Sequence, residues 1–357
     1  MTDGCGSDIL AAVVDDWFVS SGRLPGKAAL RRALGDAHEQ FRHDGTGSVS
    51  NVYPALAQAD PAAFGLCVAD VAGDVVEVGE SRVPFTLMSV AKPFVLALVC
   101  REVGMGAVRA LVGVNATGLP FNAVEAVERS PRGRTNPMVN PGAIATTSLV
   151  PGASSSQRWA FILEGLGQFA GHALGVDQIT LDSALGSNHR NRALANLLKS
   201  LNAVAGDPAE AVDLYTHQSC VSITAADLAV MAATLADGGV NPVTGHRVVD
   251  AETSHDVLGV MAIAGMYETS GDWLLDVGMP AKSGISGGIV SVSPGKGALA
   301  TFSPLLDGTG NSVRGQLATQ VLARRLGLDV LASQPAQAAT GSPAASPTVA
   351  VRAPHSG

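Results

Sequence analysis

Apolar positions recur every three to four residues over 8–19 and again over 26–42, with the breaker Gly22-Arg-Leu-Pro-Gly26 between them. This rhythm predicts two helices that turn back on one another, so that 1–44 reads as an N-terminal helical extension. The rhythm then shortens. Residues 64–71 and 75–78 are apolar and β-branched on either side of Ala72-Gly73-Asp74, which predicts a β-hairpin. From there to about residue 265 the spacing is mostly helical, with segments near 90–103, 156–173, 189–202, 207–214 and 224–237. Strand character returns at 288–292 and 298–302 around the turn Ser293-Pro-Gly-Lys296. Early and late strands with helices between them predict an α+β fold: an antiparallel sheet flanked by helices, with a helical lobe (about 100–265) inserted and a cleft where the lobes meet. The main domain would span 45–330. Beyond Asp329 the chain turns to Ala, Pro, Ser, Gln and Thr, too little apolar surface to offset its ordering entropy, so 333–357 is expected to be a disordered tail.

Composition narrows the function classes. The 357 residues carry a formal net charge of −8, which gives phosphates no general attraction, so no nucleic-acid partner is expected. The apolar stretch near the N-terminus has no basic residue before Arg23, and the apolar run 94–100 is bounded by Lys92 and Arg101. Neither pattern predicts a signal peptide or a membrane span. Cys5, Cys67, Cys100 and Cys220 are scattered without paired spacing and read as reduced thiols of a cytoplasmic protein. His172 and His189 lack a second ligand at helical spacing, so neither a metal nor any other cofactor is expected.

Candidate chemistry begins at Phe85-Thr-Leu-Met-Ser89-Val-Ala-Lys92-Pro-Phe94. If Ser89 opens a helix, Lys92 at i+3 lies over the same face, where its amine can take the serine proton. Apolar surroundings would lower the lysine toward a neutral, base-competent amine, and the helix N-terminus would favour negative charge near the serine. A Ser-x-x-Lys spacing is common by chance, as Ser293-Pro-Gly-Lys296 illustrates on a turn, and a helix cap beside an exposed lysine would look the same. The second element is Pro280-Ala-Lys282-Ser283-Gly284-Ile285-Ser-Gly-Gly288, ahead of an apolar strand. A Lys-Ser/Thr-Gly strand edge faces the Ser-x-x-Lys of penicillin-recognising serine enzymes, which puts Lys282 and Ser283 among the residues expected on the substrate, and the N–H of Ile285 could join that of Ser89 as oxyanion donors. Their third signature, Ser-Asp-Asn, is missing here, which points away from a β-lactamase.

The run Asn136-Pro-Met-Val-Asn140-Pro-Gly-Ala-Ile144 resembles a signature of the serine-dependent glutaminases. Arg190-Asn191-Arg-Ala-Leu-Ala195, Tyr215-Thr-His-Gln-Ser-Cys220, Leu235-Ala-Asp-Gly-Gly-Val-Asn-Pro242 and Met266-Tyr267-Glu-Thr-Ser-Gly271 follow that family in order and spacing, over roughly residues 47–315. The resemblance implies a β-lactamase/transpeptidase-like fold and a covalent acyl-enzyme route to amide hydrolysis, without a metal. It implies Ser89 as nucleophile, Lys92 as base and Tyr267 as proton relay to ammonia, with Asn140, Asn191, Tyr215 and Ile285 on the substrate. Structural caps at the two asparagines and an anchored core ring at Tyr215 are the bland alternatives. A small-molecule amide substrate and a homodimer or homotetramer are further expectations of the resemblance.

Three positions depart from that pattern. Seven residues before Asn191 stands Ala184, where the glutaminases carry the Glu that meets the substrate's α-ammonium; Met88 replaces a Gln before the nucleophile; and Val52 replaces a Tyr. A buried ammonium left without its partner costs about 3–5 kcal/mol. The expected substrate is therefore an amide or acyl compound lacking a free α-ammonium, unless Asp182, on the face of residue 184 if the segment is extended, supplies a carboxylate. The same acyl-enzyme could pass its acyl group to an amine instead of water, and the lost recognition residues also suit a degenerate, glutaminase-like binding protein.

Overall fold

A computed structural model describes residues 22–333. The chain opens with α1 (Lys27–Phe41), the hairpin β1 (Gly65–Asp70) and β2 (Val75–Gly79), and the short β3 (Phe85–Thr86). The helical stretch follows as α2 (Ala91–Leu111), α3 (Val124–Arg129), α4 (Asn140–Thr147), α5 (Ser155–Ala170), the short β4 (Gly175–Val176), α6 (Gln178–Ser187), α7 (His189–Ser200) and α8 (Pro208–Ser219). Then come β5 (Val221–Ile223), α9 (Ala225–Ala236), α10 (Ala251–Ala264), α11 (Ser270–Asp276), the strands β6 (Ala281–Ser283), β7 (Gly288–Ser293) and β8 (Gly297–Phe302), and α12 (Val313–Arg325).

The early and late strands join in one antiparallel sheet of order β2-β1-β8-β7-β6, the α+β arrangement expected from their positions in the chain. Both faces are covered. Leu66, Val68, Ile289 and Leu299 point to one side, against Leu30 and Leu34 of α1 and Leu322 of α12. Cys67, Ala69, Val290, Val292, Ala298 and Ala300 alternate to the other and meet α9, whose own alanines let helix and sheet approach closely. Burial on both faces is why β7 and β8 carry no charged residue and break their apolar runs only with small buried hydroxyls such as Ser291 and Thr301. Helix α1 closes the outer face of the sheet. The expected partner helix at 8–19 and the expected tail beyond Ser333 lie outside the described residues.

Side-chain caps mark the starts of several helices: Ser154, Asp177, Asp207, Asp250 and Ser312 each accept a first-turn N–H, and Thr224 and Asp227 form a full capping box on α9. The expected helix end near 103 coincides with Gly104, whose φ of 79° and ψ of 149° interrupt α2. Asp182 and Ala184 lie on helix α6, not on an extended segment, so they point to different sides. Asp182 is exposed and accepts a hydrogen bond from Gln178 Nε2 at 2.7 Å. It supplies no carboxylate in place of the one missing at 184.

Arg314 anchors α12 beneath the sheet, only 2% exposed. Its guanidinium donates to Ser303 Oγ and to the carbonyls of Arg42, Pro61, Ala62 and Ala63, tying the α1–β1 connection to the start of α12. Replacing Arg314 with leucine should strand those acceptors and lower the unfolding free energy by about 3–5 kcal/mol, read by urea denaturation. A loss below about 1 kcal/mol would mean that water satisfies the carbonyls instead.

Candidate active site

β3 pairs with β5, and Leu87 N–H donates to Val221 O at 2.9 Å, which delivers the chain into a tight turn over Met88–Val90 that runs directly into α2. Met88 holds this turn in the left-handed region with φ 45°. Such a conformation costs about 1–3 kcal/mol in a residue with a side chain, and it is maintained by its surroundings directly before Ser89. One turn along α2, Lys92 Nζ stands 3.1 Å from Ser89 Oγ, 2.8 Å from Asn140 Oδ1 and 3.3 Å from Met138 O. A neutral amine fits this environment: two N–H groups serve the Asn140 and Met138 oxygens while the lone pair faces the serine hydroxyl. Burial pushes the Lys92 pKa down to about 7, and no carboxylate among the described residues pairs with it to restore the charge.

Tyr267 occupies a second left-handed position, φ 55°, in the turn between α10 and α11. That turn abuts β6 because Gly265 has no side chain: a Cβ there would stand 1.7 Å from Ala281 O. The Tyr267 hydroxyl donates to Ser283 O at 3.2 Å, and burial pushes its pKa up, with hydrogen bonding to Ser89 pulling partly the other way. The phenol is thus an acid at neutral pH, placed beside the serine.

Lys282 and Ser283 were expected to touch substrate, and the structure places them behind the site instead. Lys282 is fully buried; its Nζ donates to Gly265 O at 2.8 Å and Ser283 O at 2.6 Å and lies 4.2 Å from the centre of the Tyr267 ring. It therefore steadies the tyrosine turn. Ser283 is fully buried as well, with its hydroxyl unpartnered among the described residues. A strand-edge motif fixes which residues follow one another, not which face the cleft. The next residues do reach it. A Cβ on Gly284 would lie 3.1 Å from Leu87 O and 3.4 Å from Ser89 N, so the bare glycine lets this segment lie against the Ser89 turn. Ile285 lines the cavity, and its N–H makes no hydrogen bond among the described residues.

Ser89 opens into a cavity of about 140 Å³. Met88, Asn140, Ala184, Asn191, Tyr215 and Ile285 share its wall. Tyr215 Oη donates to Asn140 Oδ1 at 3.1 Å, Asn140 Nδ2 to Asn191 Oδ1 at 3.1 Å, and Asn191 Nδ2 to Asn188 Oδ1 at 2.6 Å. These polar residues hold one another and Lys92, rather than capping helices. Ala184 is 1% exposed and packs with Met88, Leu56, Leu181 and Cys220, so this wall is apolar. Val52 sits exposed at the rim, and the adjacent Tyr53 lines the cavity too, which keeps a phenol there one residue along the chain. Tyr53, Phe121 and Arg190 also belong to the wall and were not singled out in the sequence. Tyr53 and Arg190 adjoin positions that were, whereas Phe121 lies in a loop without a motif.

Among the described residues no helix is long and apolar enough to cross a membrane. The chain matches the Glutaminase family over residues 47–331. Glutaminase 2 of Yersinia pestis is 52% identical over 335 residues, covering 94% of this chain and 98% of that protein. The glutaminase of Colwellia psychrerythraea is 41% identical over 304 residues, covering 85% and 98%. Among solved structures, the probable glutaminase ybaS superposes with a TM-score of 0.84 at 40% identity, covering 86% of this chain and 99% of that one. A Bacillus glutaminase follows the same path with a TM-score of 0.77 at 29% identity, covering 85% and 100%. With its β-lactamase-like sheet and inserted helices, this chain belongs to the glutaminase family and is a hydrolase of amide C–N bonds.

Proposed function

We propose that the protein is a serine-nucleophile amidohydrolase in which Ser89 and Lys92 form the catalytic dyad. The observation that carries this reading is the 3.1 Å approach of a buried, carboxylate-free lysine to the serine hydroxyl. Lys92 takes the proton as Ser89 Oγ attacks the amide carbonyl, and the N–H groups of Ser89 and Ile285 face the developing oxyanion. Tyr267 gives its proton to the departing ammonia and recovers one from the Lys92 side. Water then attacks the acyl-enzyme by the same path in reverse, releasing the carboxylate.

The base must be unprotonated for the first step. Because burial lowers the Lys92 pKa from its usual range to about 7, kcat/KM should rise about tenfold per pH unit below that point and level off above it. A profile flat from pH 5.5 to 8, roughly the range in which this titration falls, would remove Lys92 from the role.

The substrate we infer is an amide without a free α-ammonium. What supports this is the wall at Ala184: no Asp or Glu lines the cavity among the described residues. Ammonia release from L-glutamine and from Nα-acetyl-L-glutamine separates the alternatives. The acetylated compound should give the higher kcat/KM; equal or better efficiency on glutamine would sink the altered-pocket reading.

A further inference from the structure

The cavity lacks negative charge and carries one positive side chain. Arg190, in the first turn of α7, lines it and donates through Nε to Asn122 O at 2.8 Å, while its Nη groups make no hydrogen bond among the described residues. The same turn contributes Asn191, and α7 starts without a side-chain cap, so the positive end of the helix adds to the arginine's field. Elsewhere on its wall, Ala184 packs with Met88, and Ile285 lies against the same apolar cluster. One wall therefore suits an anion, another suits an uncharged substituent, and neither suits a cation.

We propose that Arg190 recognises a carboxylate on the substrate, which makes the substrate class the ω-monoamides of dicarboxylic acids that carry no charged nitrogen. The free Nη pair offers the planar two-donor fork that matches a carboxylate, with Nε tethered to the loop at Asn122 to fix its direction. The amide end reaches Ser89 and the remaining substituent rests on the side of Ala184. The reaction consumes one water, breaks the amide C–N bond and yields a dicarboxylate and ammonia. This assignment rests on the serine-amidase reading above and adds the substrate's charge to it.

The test compares kcat/KM for 5-amino-5-oxopentanoate with that for pentanamide, an uncharged counterpart of the same length, in the wild type, Arg190→Gln and Arg190→Lys. The wild type should favour the anion by roughly 10- to 100-fold, the range of one charge-assisted hydrogen-bonded pair. Arg190→Gln should collapse that ratio toward one, mainly through KM for the anion. Arg190→Lys keeps the charge but loses the tether to Asn122, and it should retain part of the ratio, shrinking with added salt. Equal rates on both amides in the wild type, or a ratio unmoved by Arg190→Gln, would overturn the assignment while leaving the amidase reading standing. A lysine variant as indifferent as the glutamine variant would make Arg190 a loop tether and likewise overturn it. Hydrolysis of neither amide would contradict the amidase reading itself.

Discussion

Ser89→Ala should lower turnover of any amide substrate by roughly 10⁴- to 10⁶-fold, with circular dichroism and thermal midpoint little changed. Ser89 lies in a short turn, and its removal deletes one hydroxyl without opening a core cavity. Lys92→Met should cost nearly as much, and the double variant little more than either single one, because nucleophile and base act as a unit. Full additivity would mean that the two groups act independently, against the geometry that joins them at 3.1 Å. Lys92→Met carries a second signature. It replaces a buried amine with an apolar chain of similar length, so relief of the amine's burial offsets the bonds lost to Asn140 and Met138 and stability should change by no more than about 1 kcal/mol.

The second large effect is a gain. Ala184→Glu places a carboxylate on the wall that lacks one, and kcat/KM for L-glutamine relative to Nα-acetyl-L-glutamine should rise by roughly 10²- to 10³-fold, the worth of pairing a buried ammonium. The change has a cost in the free protein. A glutamate among Met88, Leu181 and Leu56 must either desolvate its charge or remain protonated, so stability should fall and glutamine should recover part of it on binding. If the parent already turns over glutamine with ordinary efficiency and the variant adds nothing, the α-ammonium is received elsewhere.

Much of the architecture was visible in the chain because local signals and tertiary demands agree. The β-branched runs around Gly73 and around Ser293-Pro-Gly pair as expected, since each hairpin is a short-range contact. The disagreements come from long-range packing. Helix α1 reads as an appendage, yet its apolar stripe covers a sheet whose strands lie far from it in sequence. The segment of Ala184 reads equally well as extended, and becomes helix α6 with an Asp177 cap and packing on α8. Helix α12 is polar on average because it carries three arginines and two glutamines, and one of them, Arg314, is nevertheless buried on carbonyls.

The site divides in the same way. Ser89 and Lys92 meet through a spacing of three along one turn, which sequence reveals. Asn140, Asn191 and Tyr215 came from the family resemblance, and only the fold shows them hydrogen-bonded to one another. Lys282 illustrates the limit: its motif is legible, but whether its amine faces substrate or the Gly265 and Ser283 carbonyls depends on the Tyr267 turn against which β6 packs. Arg190 and Phe121 become part of the site only when α7 and the loop before α3 close over the serine.

Catalysis by this route requires a covalent bond to form at one oxygen, Ser89 Oγ. Incubation with an activated acyl ester, followed by intact-mass and peptide mass spectrometry, tests this directly. It predicts a single acyl adduct on Ser89, faster above pH 7 than below and absent from Ser89→Ala. An unmodified serine in the wild type, or an adduct that persists in Ser89→Ala, would contradict it.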